Sequence, residues 1–351
     1  MNQDIKGLRT VLAAYGCSES GLEPLGNGLI NLTWRARSAD GEACVLQRVA
    51  DIFPAEINRD IAVVSAVLAR QSVAVPAVLP SLSGQLWVEA AGHNWRMLTW
   101  LDGTCHESLS SPHQARSAGA LLARFHRALD GLDHKFSNPR LGVHDTARHL
   151  AALRDALVNN SAHPRRAQIA PLAESILAAA ASLPALPPSR DRIVHGDPKI
   201  NNMLFDDTSG EATSLVDLDT VGLMPLPLEL GDALRSWCNP TGEDGRLGEF
   251  SAEMFAAALT GYASAAGNWI DPQEIRAILP ATETIIVELA ARFCADAFNE
   301  NYFGWDASRF STRGEHNEVR AAGQLSLAQS FAAQRENLSI HLLEAFALAT
   351  D

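Results

Sequence analysis

Three residue types needed to handle a phosphoryl group stand close together in one stretch of the chain. His195-Gly196-Asp197-Pro198-Lys199-Ile200-Asn201-Asn202 places an acid and an amide five residues apart, and Asp217 follows Asn202 by fifteen. Phosphoryl transfer asks a protein for little covalent chemistry: a carboxylate orients the attacking hydroxyl, and oxygen ligands hold Mg²⁺ against the phosphates. Ile193-Val194 before the run and Ala212 to Val216 before Asp217 predict two short strands. A loop between them would present Asp197 and Asn202 to one cleft, and Asp217 adds a hard carboxylate of the kind Mg²⁺ prefers. The same residues would also suit two strands joined by a polar turn without chemistry, so the surrounding elements have to decide.

Those elements change character along the chain. Strand patterns cover Leu29 to Arg37, Ala43 to Val49, Gln85 to Ala90 and Asn94 to Trp100, with one helix from about Pro54 to Arg70 that aligns Ile57, Ile61, Val64 and Leu68. Beyond Leu101-Asp102-Gly103 helical periodicity dominates. Ser111-Pro112 opens a helix with a capping residue followed by proline, and its stripe is Ala118, Leu121, Leu122, Phe125 and Leu129. Further helices are predicted near 146–158, 168–182, 228–238, 249–266, 272–301 and 317–348, with one strand pair embedded at 192–219. Strands first and helices after predict a bilobal α+β fold, with a small β-rich N-terminal lobe over residues 1–98 and a larger helical lobe over 99–351.

Composition narrows the function further. Acids outnumber bases 41 to 28, which excludes the basic footprint a nucleic-acid binder needs. The five cysteines are scattered and show no C-x-x-C pair, so neither a disulfide framework nor a zinc site is expected. The apolar run Ile176 to Pro188 is too short and proline-rich to cross a bilayer, and no cleavage pattern follows Val11 to Tyr15. A cytoplasmic location without membrane partner is the expectation; oligomeric state is open.

The H-G-D-x-x-x-x-N run with its later D-x-D resembles the aminoglycoside phosphotransferase and choline kinase superfamily, relatives of the protein kinases, whose loop reads H-R-D-x-x-x-x-N. That resemblance implies a protein-kinase-like fold, ATP and Mg²⁺ as cofactors, Asp197 as catalytic base, Asn202 and Asp217 as metal ligands, and His195 as a loop-shaping residue. Gly26-Asn27-Gly28-Leu29-Ile30-Asn31 falls where the family has a G-x-x-x-N hairpin, which implies nucleotide contacts from Gly26, Gly28 and Asn31; a plain hairpin turn fits these residues too. Protein kinases hold the phosphates with a strand lysine. Here the strand reads Cys44-Val45-Leu46-Gln47-Arg48, so Gln47 or Arg48 must take over, with Arg48 favoured for its charge and Glu56 or Asp60 as its acidic orienter. A solvated strand end would account for Arg48 equally well. Residues 97–103 match the interlobe hinge, implying adenine contacts at Thr99 and Leu101. Asp219 is open between a metal ligand, a contact to the substrate hydroxyl and a cap. Asp232, in Glu229-Leu230-Gly231-Asp232, matches the family aspartate that braces the catalytic loop.

Glu288, Arg292, Asp296 and Asn299 fall within about 80° on a helical wheel whose remaining positions from Ile285 to Phe298 are apolar. A helix apolar nearly all round is buried, so this stripe faces either water or an internal cleft. In the first case it carries i,i+4 ion pairs. In the second it forms a substrate wall from Arg292 and Asp296, continued by Tyr302, Trp305 and His316. His126 reads as a satisfied core histidine. Across residues 25–330 the chain is similar to the anomeric N-acetylhexosamine kinase branch, which implies a sugar acceptor. Choline, homoserine, methylthioribose or aminoglycoside kinases are the alternatives, and a non-catalytic pseudokinase is the alternative of another class.

Overall fold

Helix α1 (Leu8–Ala14) precedes strands β1 (Glu23–Pro24), β2 (Leu32–Arg37) and β3 (Ala43–Arg48), helix α2 (Ile57–Arg70), and strands β4 (Val78–Leu79), β5 (Val88–Ala90) and β6 (His93–Thr99). This computed structural model describes residues 7–25, 30–38, 40–139, 142–301 and 305–347. Gly26, Gly28 and Tyr302 of the predicted site lie outside the described residues. The strands form one antiparallel sheet in the order β1-β2-β3-β6-β4, with β5 also on β6. Helix α1 is not among the predicted elements. Its stripe of Leu8, Val11 and Leu12 has helical spacing, but seven residues are too few to announce it.

Alternation along the strands sorts the two sheet faces. Cys44 and Leu46 of β3, with Trp95 and Met97 of β6, pack against Leu8, Val11 and Leu12 of α1. The intervening residues of both strands point to the opposite face, where Leu98 enters the main core and Val45 packs against it. Gln47 pairs directly with Arg96 across β3 and β6, so these two side chains are neighbours on that inner face. The main core continues from Ile61, Val64 and Leu68 of α2 into the helical part.

The helical part comprises α3 (Pro112–Leu129), α4 (Thr146–Asn159), α5 (Arg166–Ala180), α6 (Leu226–Trp237), α7 (Ala252–Ala266), α8 (Pro272–Asn299), α9 (Arg313–Ala333) and α10 (Arg335–Ala345). Ser111 caps α3 by accepting the Gln114 N–H. A methyl group at Gly119 would collide with the Ala258 carbonyl, and one at Gly261 with the Arg116 carbonyl, so glycine lets α3 and α7 cross in backbone contact. Helix α8 starts at a capping box, Asp271 with Glu274, behind Pro272. The helix predicted over 317–348 is two helices, parted at Gln334, whose side chain donates to the Phe250 carbonyl at 2.8 Å. Among the described residues no helix is long and apolar enough to cross a membrane.

Four short strands carry the catalytic segment: β7 (Asp191–Val194), β8 (Met203–Phe205), β9 (Ala212–Leu215) and β10 (Gly222–Pro225). The single strand pair predicted at 192–219 is two pairs, β7 with β10 and β8 with β9. A left-handed residue at Asp217 (φ 64°) and a single 3₁₀ turn, Leu218–Thr220, reverse the chain so that Gly222–Pro225 returns along β7.

Candidate active site

The loop after β7 is fixed mostly by α6. Glu229 accepts the backbone N–H groups of His195 and Gly196 at 2.9 and 3.0 Å, and it is fully buried. Ser236 accepts the Ile200 N–H at 3.1 Å, and Trp237 Nε1 donates to the Pro198 carbonyl at 2.8 Å. These three residues sit seven and eight positions apart, which places them along one side of the helix. The brace expected of Asp232 therefore comes from Glu229, one helical turn earlier. Asp232 instead accepts from Arg235 Nε at 2.9 Å, and Arg235 also reaches Glu243 at 2.9 Å. Burial works against the charge on Asp232, but Arg235, His144 and Arg292 together hold its carboxyl below the ordinary range.

His195 is buried and donates Nε2–H to the Val216 carbonyl at 2.9 Å, which ties the loop to the strand that ends at Asp217. Burial lowers its pKa, so the ring is neutral and Nδ1 is left without a partner. Gly196 has φ +82°, and a side chain there would collide with the Thr220 carbonyl; only glycine fits. Asp197 is half-buried and accepts from Lys199 Nζ at 2.7 Å. Burial of Lys199 opposes its charge, yet Asp197 prevails and its pKa is raised. Asn202 donates Nδ2–H to the Asp197 carbonyl at 2.8 Å, which leaves its amide oxygen as the atom available to a cation.

Burial, reinforced by Asp219 and Asp197, pushes Asp217 up to about 7 against the pull of Lys199 and Arg96. A buried carboxyl held that high beside two other acids is one that a hard divalent cation would stabilise. Among the described residues no three His, Cys, Asp or Glu side chains converge as a ready metal cage. One carboxylate and one amide oxygen nevertheless fit Mg²⁺, which commonly takes one or two protein carboxylates and completes its shell with phosphates and water.

Asp219 occupies a different place from the substrate contact expected of it. Its side chain is 1% exposed, with Arg96 Nη1 at 2.5 Å from Oδ1 and Asn31 Nδ2 at 2.7 Å from Oδ2. Asn31, expected at the nucleotide, is engaged here and also accepts the Ala50 N–H at 2.9 Å. Gln47 accepts from Arg96 Nε at 2.8 Å. Among the strand cations on the inner side of the sheet, Arg96 of β6 is the one that reaches Asp219, with Gln47 beside it. Arg48 shares its parity with Leu46 on the α1 face, so alternation turns it away. Asp60 does not orient a cation; it accepts from His134 at 2.8 Å and from the Ser137 N–H at 2.9 Å. Arg96 was legible only as the middle of Trp95-Arg96-Met97, where a charged residue alternates with buried ones.

The hinge segment is tied to the catalytic part. Thr104 and Phe205 exchange backbone hydrogen bonds at 2.9 and 3.0 Å, and Gly103 (φ +128°) leaves no room there for a side chain. Thr99 has its amide and hydroxyl engaged with Ala77, both at 2.9 Å. Adenine contacts at Thr99 would therefore have to use its carbonyl, and Leu101 is the second hinge position.

The polar stripe of α8 begins inside the protein. Glu288 is fully buried and bound by His144 Nδ1 at 3.0 Å and Thr146 Oγ1 at 2.6 Å, from the start of α4. Burial raises Asp296 to about 6 despite Arg292 beside it, which a carboxyl in bulk water would not show. Arg292 in turn helps to hold the carboxyl of Asp232 below its ordinary range. Along the stripe Glu288 is buried, Arg292 and Asp296 are half-buried and Asn299 is exposed. His316 departs from the expected wall: its ring stacks on Phe310 at 4.1 Å and bonds to Asp244 at 2.9 Å. His126 is buried with Nδ1 at 2.9 Å from the Tyr262 hydroxyl.

Residues 21–268 match the model of a family described as the phosphotransferase enzyme family, APH. Three solved structures share the fold at low identity. An amicoumacin kinase in complex with AMP-PNP, Ca²⁺ and Ami is 13% identical, with a TM-score of 0.60 over 99% of this chain and 93% of that one. A microcompartment-associated aminopropanol kinase is 15% identical, with a TM-score of 0.62 over 93% and 97%. An aminoglycoside phosphotransferase from Alicyclobacillus acidocaldarius is 17% identical, with a TM-score of 0.56 over 96% and 94%. These likenesses establish the bilobal, protein-kinase-like α+β fold.

Proposed function

The chain belongs to the phosphotransferase enzyme family, and from that premise we propose that it transfers the γ-phosphate of ATP to a hydroxyl of a neutral sugar, the anomeric hydroxyl of an N-acetylhexosamine. Asp197 accepts the hydroxyl proton and aims the oxygen, while Lys199, 2.7 Å away, keeps Asp197 in position. Asn202 and Asp217 would hold a magnesium ion through one amide oxygen and one carboxylate. A bound magnesium ion would neutralise charge on the phosphate oxygens. Leu101 and Thr99 receive the adenine at the hinge.

The observation that carries the acceptor class is charge compensation around the cleft. Asp197 is paired with Lys199, Asp232 and Glu243 with Arg235, and Asp244 with Arg320, while Glu288 is hydrogen-bonded to His144 and Thr146. Choline and aminoglycosides are cations, and a site that selects them needs acids left uncompensated. A neutral polyhydroxyl ring needs hydrogen-bonding groups instead, and Arg292 and Asp296 are the half-buried members of this stripe that could supply them. A coupled ADP-release screen over N-acetylglucosamine, N-acetylgalactosamine, other sugars and amino alcohols tests the proposal. Turnover confined to amines would overturn the sugar assignment, and nucleotide binding without turnover on any hydroxyl would overturn the kinase.

The same reading predicts that Arg292→Ala and Asp296→Ala each weaken acceptor kinetics by about 1.5 to 3 kcal/mol, the usual loss for a hydrogen bond to a charged group. The KM for ATP should barely move. If both variants lose less than about 1 kcal/mol, as exposed ion pairs do, the stripe does not line the acceptor site.

A further inference from the structure

Arg96 is fully buried, lies on the strand next to the one expected to carry the phosphate-holding cation, and reaches into the other lobe. Its guanidinium bridges Gln47 of the sheet and Asp219 of the turn that follows Asp217. Asn31, at the end of the glycine-rich segment, meets the other oxygen of the same carboxylate. A nucleotide-side hairpin, a sheet strand and the metal-side turn therefore converge on one buried carboxylate, two residues beyond Asp217. Protein kinases instead pair their strand lysine with a glutamate of a helix. Here the helix acid Asp60 is engaged elsewhere, with His134 and Ser137.

We infer that Arg96 and Asp219 are the positioning pair of this enzyme: the ion pair joins the sheet to the metal-side turn and sets where the Asp217 carboxylate stands. On the catalytic side the turn is held by Thr220, whose hydroxyl donates to the His195 carbonyl at 2.8 Å. Asp217 occupies the left-handed region, which is strained for a non-glycine residue and persists only where its surroundings impose it. Leu218–Thr220 adds a single 3₁₀ turn. The anchoring of Asp219 adds a restraint from the sheet side, and it engages both carboxylate oxygens. Arginine suits this better than lysine, since a planar fork can bond Gln47 and Asp219 at once.

The inference rests on the reading of Asp217 as a metal ligand, and the test separates the two. Binding of AMP-PNP is measured by calorimetry across a Mg²⁺ titration, alongside thermal unfolding, for Arg96→Lys, Asp219→Asn and Asp217→Ala. Arg96→Lys and Asp219→Asn should each raise the half-saturating Mg²⁺ concentration about tenfold or more, the effect of losing one hydrogen bond to a charged group. The acceptor KM should stay within about twofold, because the pair lies on the nucleotide side. A lowered unfolding temperature with unaltered Mg²⁺ dependence would make the pair a structural tie only and overturn the inference. Should a single variant not fold, Arg96→Met combined with Asp219→Asn removes both charges and leaves no uncompensated buried ion. Its Mg²⁺ dependence should shift in the same way, and an unshifted response overturns the inference again. If Asp217→Ala also leaves the Mg²⁺ dependence untouched, the metal-site reading falls and the inference with it. If only Asp217→Ala shifts it, the inference alone fails.

Discussion

Asp197→Asn should lose about 10² to 10⁴ in kcat, the range typical of a general base, while Mg-ATP affinity stays close to that of the unsubstituted enzyme. The side chain keeps its shape but can no longer accept the hydroxyl proton, and Lys199 loses its carboxylate partner at 2.7 Å. The nucleotide has other holders, Asn202 and Asp217 on the proposed metal and the hinge on the adenine, so binding and turnover should separate. Single-turnover kinetics with saturating ATP, combined with equilibrium binding of AMP-PNP, measures both. A kcat within a fewfold of the parent would remove Asp197 from the chemistry. Equal losses in nucleotide affinity and rate would mean that the substitution disturbs the loop as a whole.

Much of this site could be read from local order in the chain. Asp197, Asn202 and Asp217 lie in one short segment, and Gly196 between a buried histidine and the acid marks a tight turn whatever the fold. What stayed hidden depends on register and on contacts distant in sequence. Arg48 drew attention for its charge, yet a shift of one residue along β3 changes the face, and Gln47 with Arg96 holds the inner side. The partner of Arg96 lies 123 residues away, a separation no local pattern reveals. Strand pairing misled for the same reason. Ile193-Val194 and Ala212 to Leu215 look like neighbours, but Gly222–Pro225, with a glycine and a proline in four residues, has weak strand propensity and is recruited by the reversal at Asp217. The α8 stripe was legible as a stripe, but the burial of its first member was not. That required the start of α4, where His144 and Thr146 close over Glu288.

Glu229 shows how far the fold and the chemistry depend on one buried acid. Its two oxygens accept the N–H groups of His195 and Gly196, the two residues that lead into Asp197. Glu229→Ala leaves both donors inside a dry core, and each unsatisfied group is expected to destabilise the fold by about 1 to 3 kcal/mol. The loop would then shift to find other partners, and a displacement near 1 Å at a reacting group lowers rate by roughly 10²-fold. Glu229→Gln keeps the volume but offers only one acceptor oxygen, while its NH₂ group faces a second N–H donor; it should fall between alanine and the parent in both properties. Urea unfolding and kcat measured on the same preparations test the coupling. Parental stability and kcat in the alanine variant would show that Ser236, Trp237 and the His195 to Val216 bond hold the loop unaided. A loss of stability without a loss of kcat would confine Glu229 to the fold and free the placement of Asp197 from it.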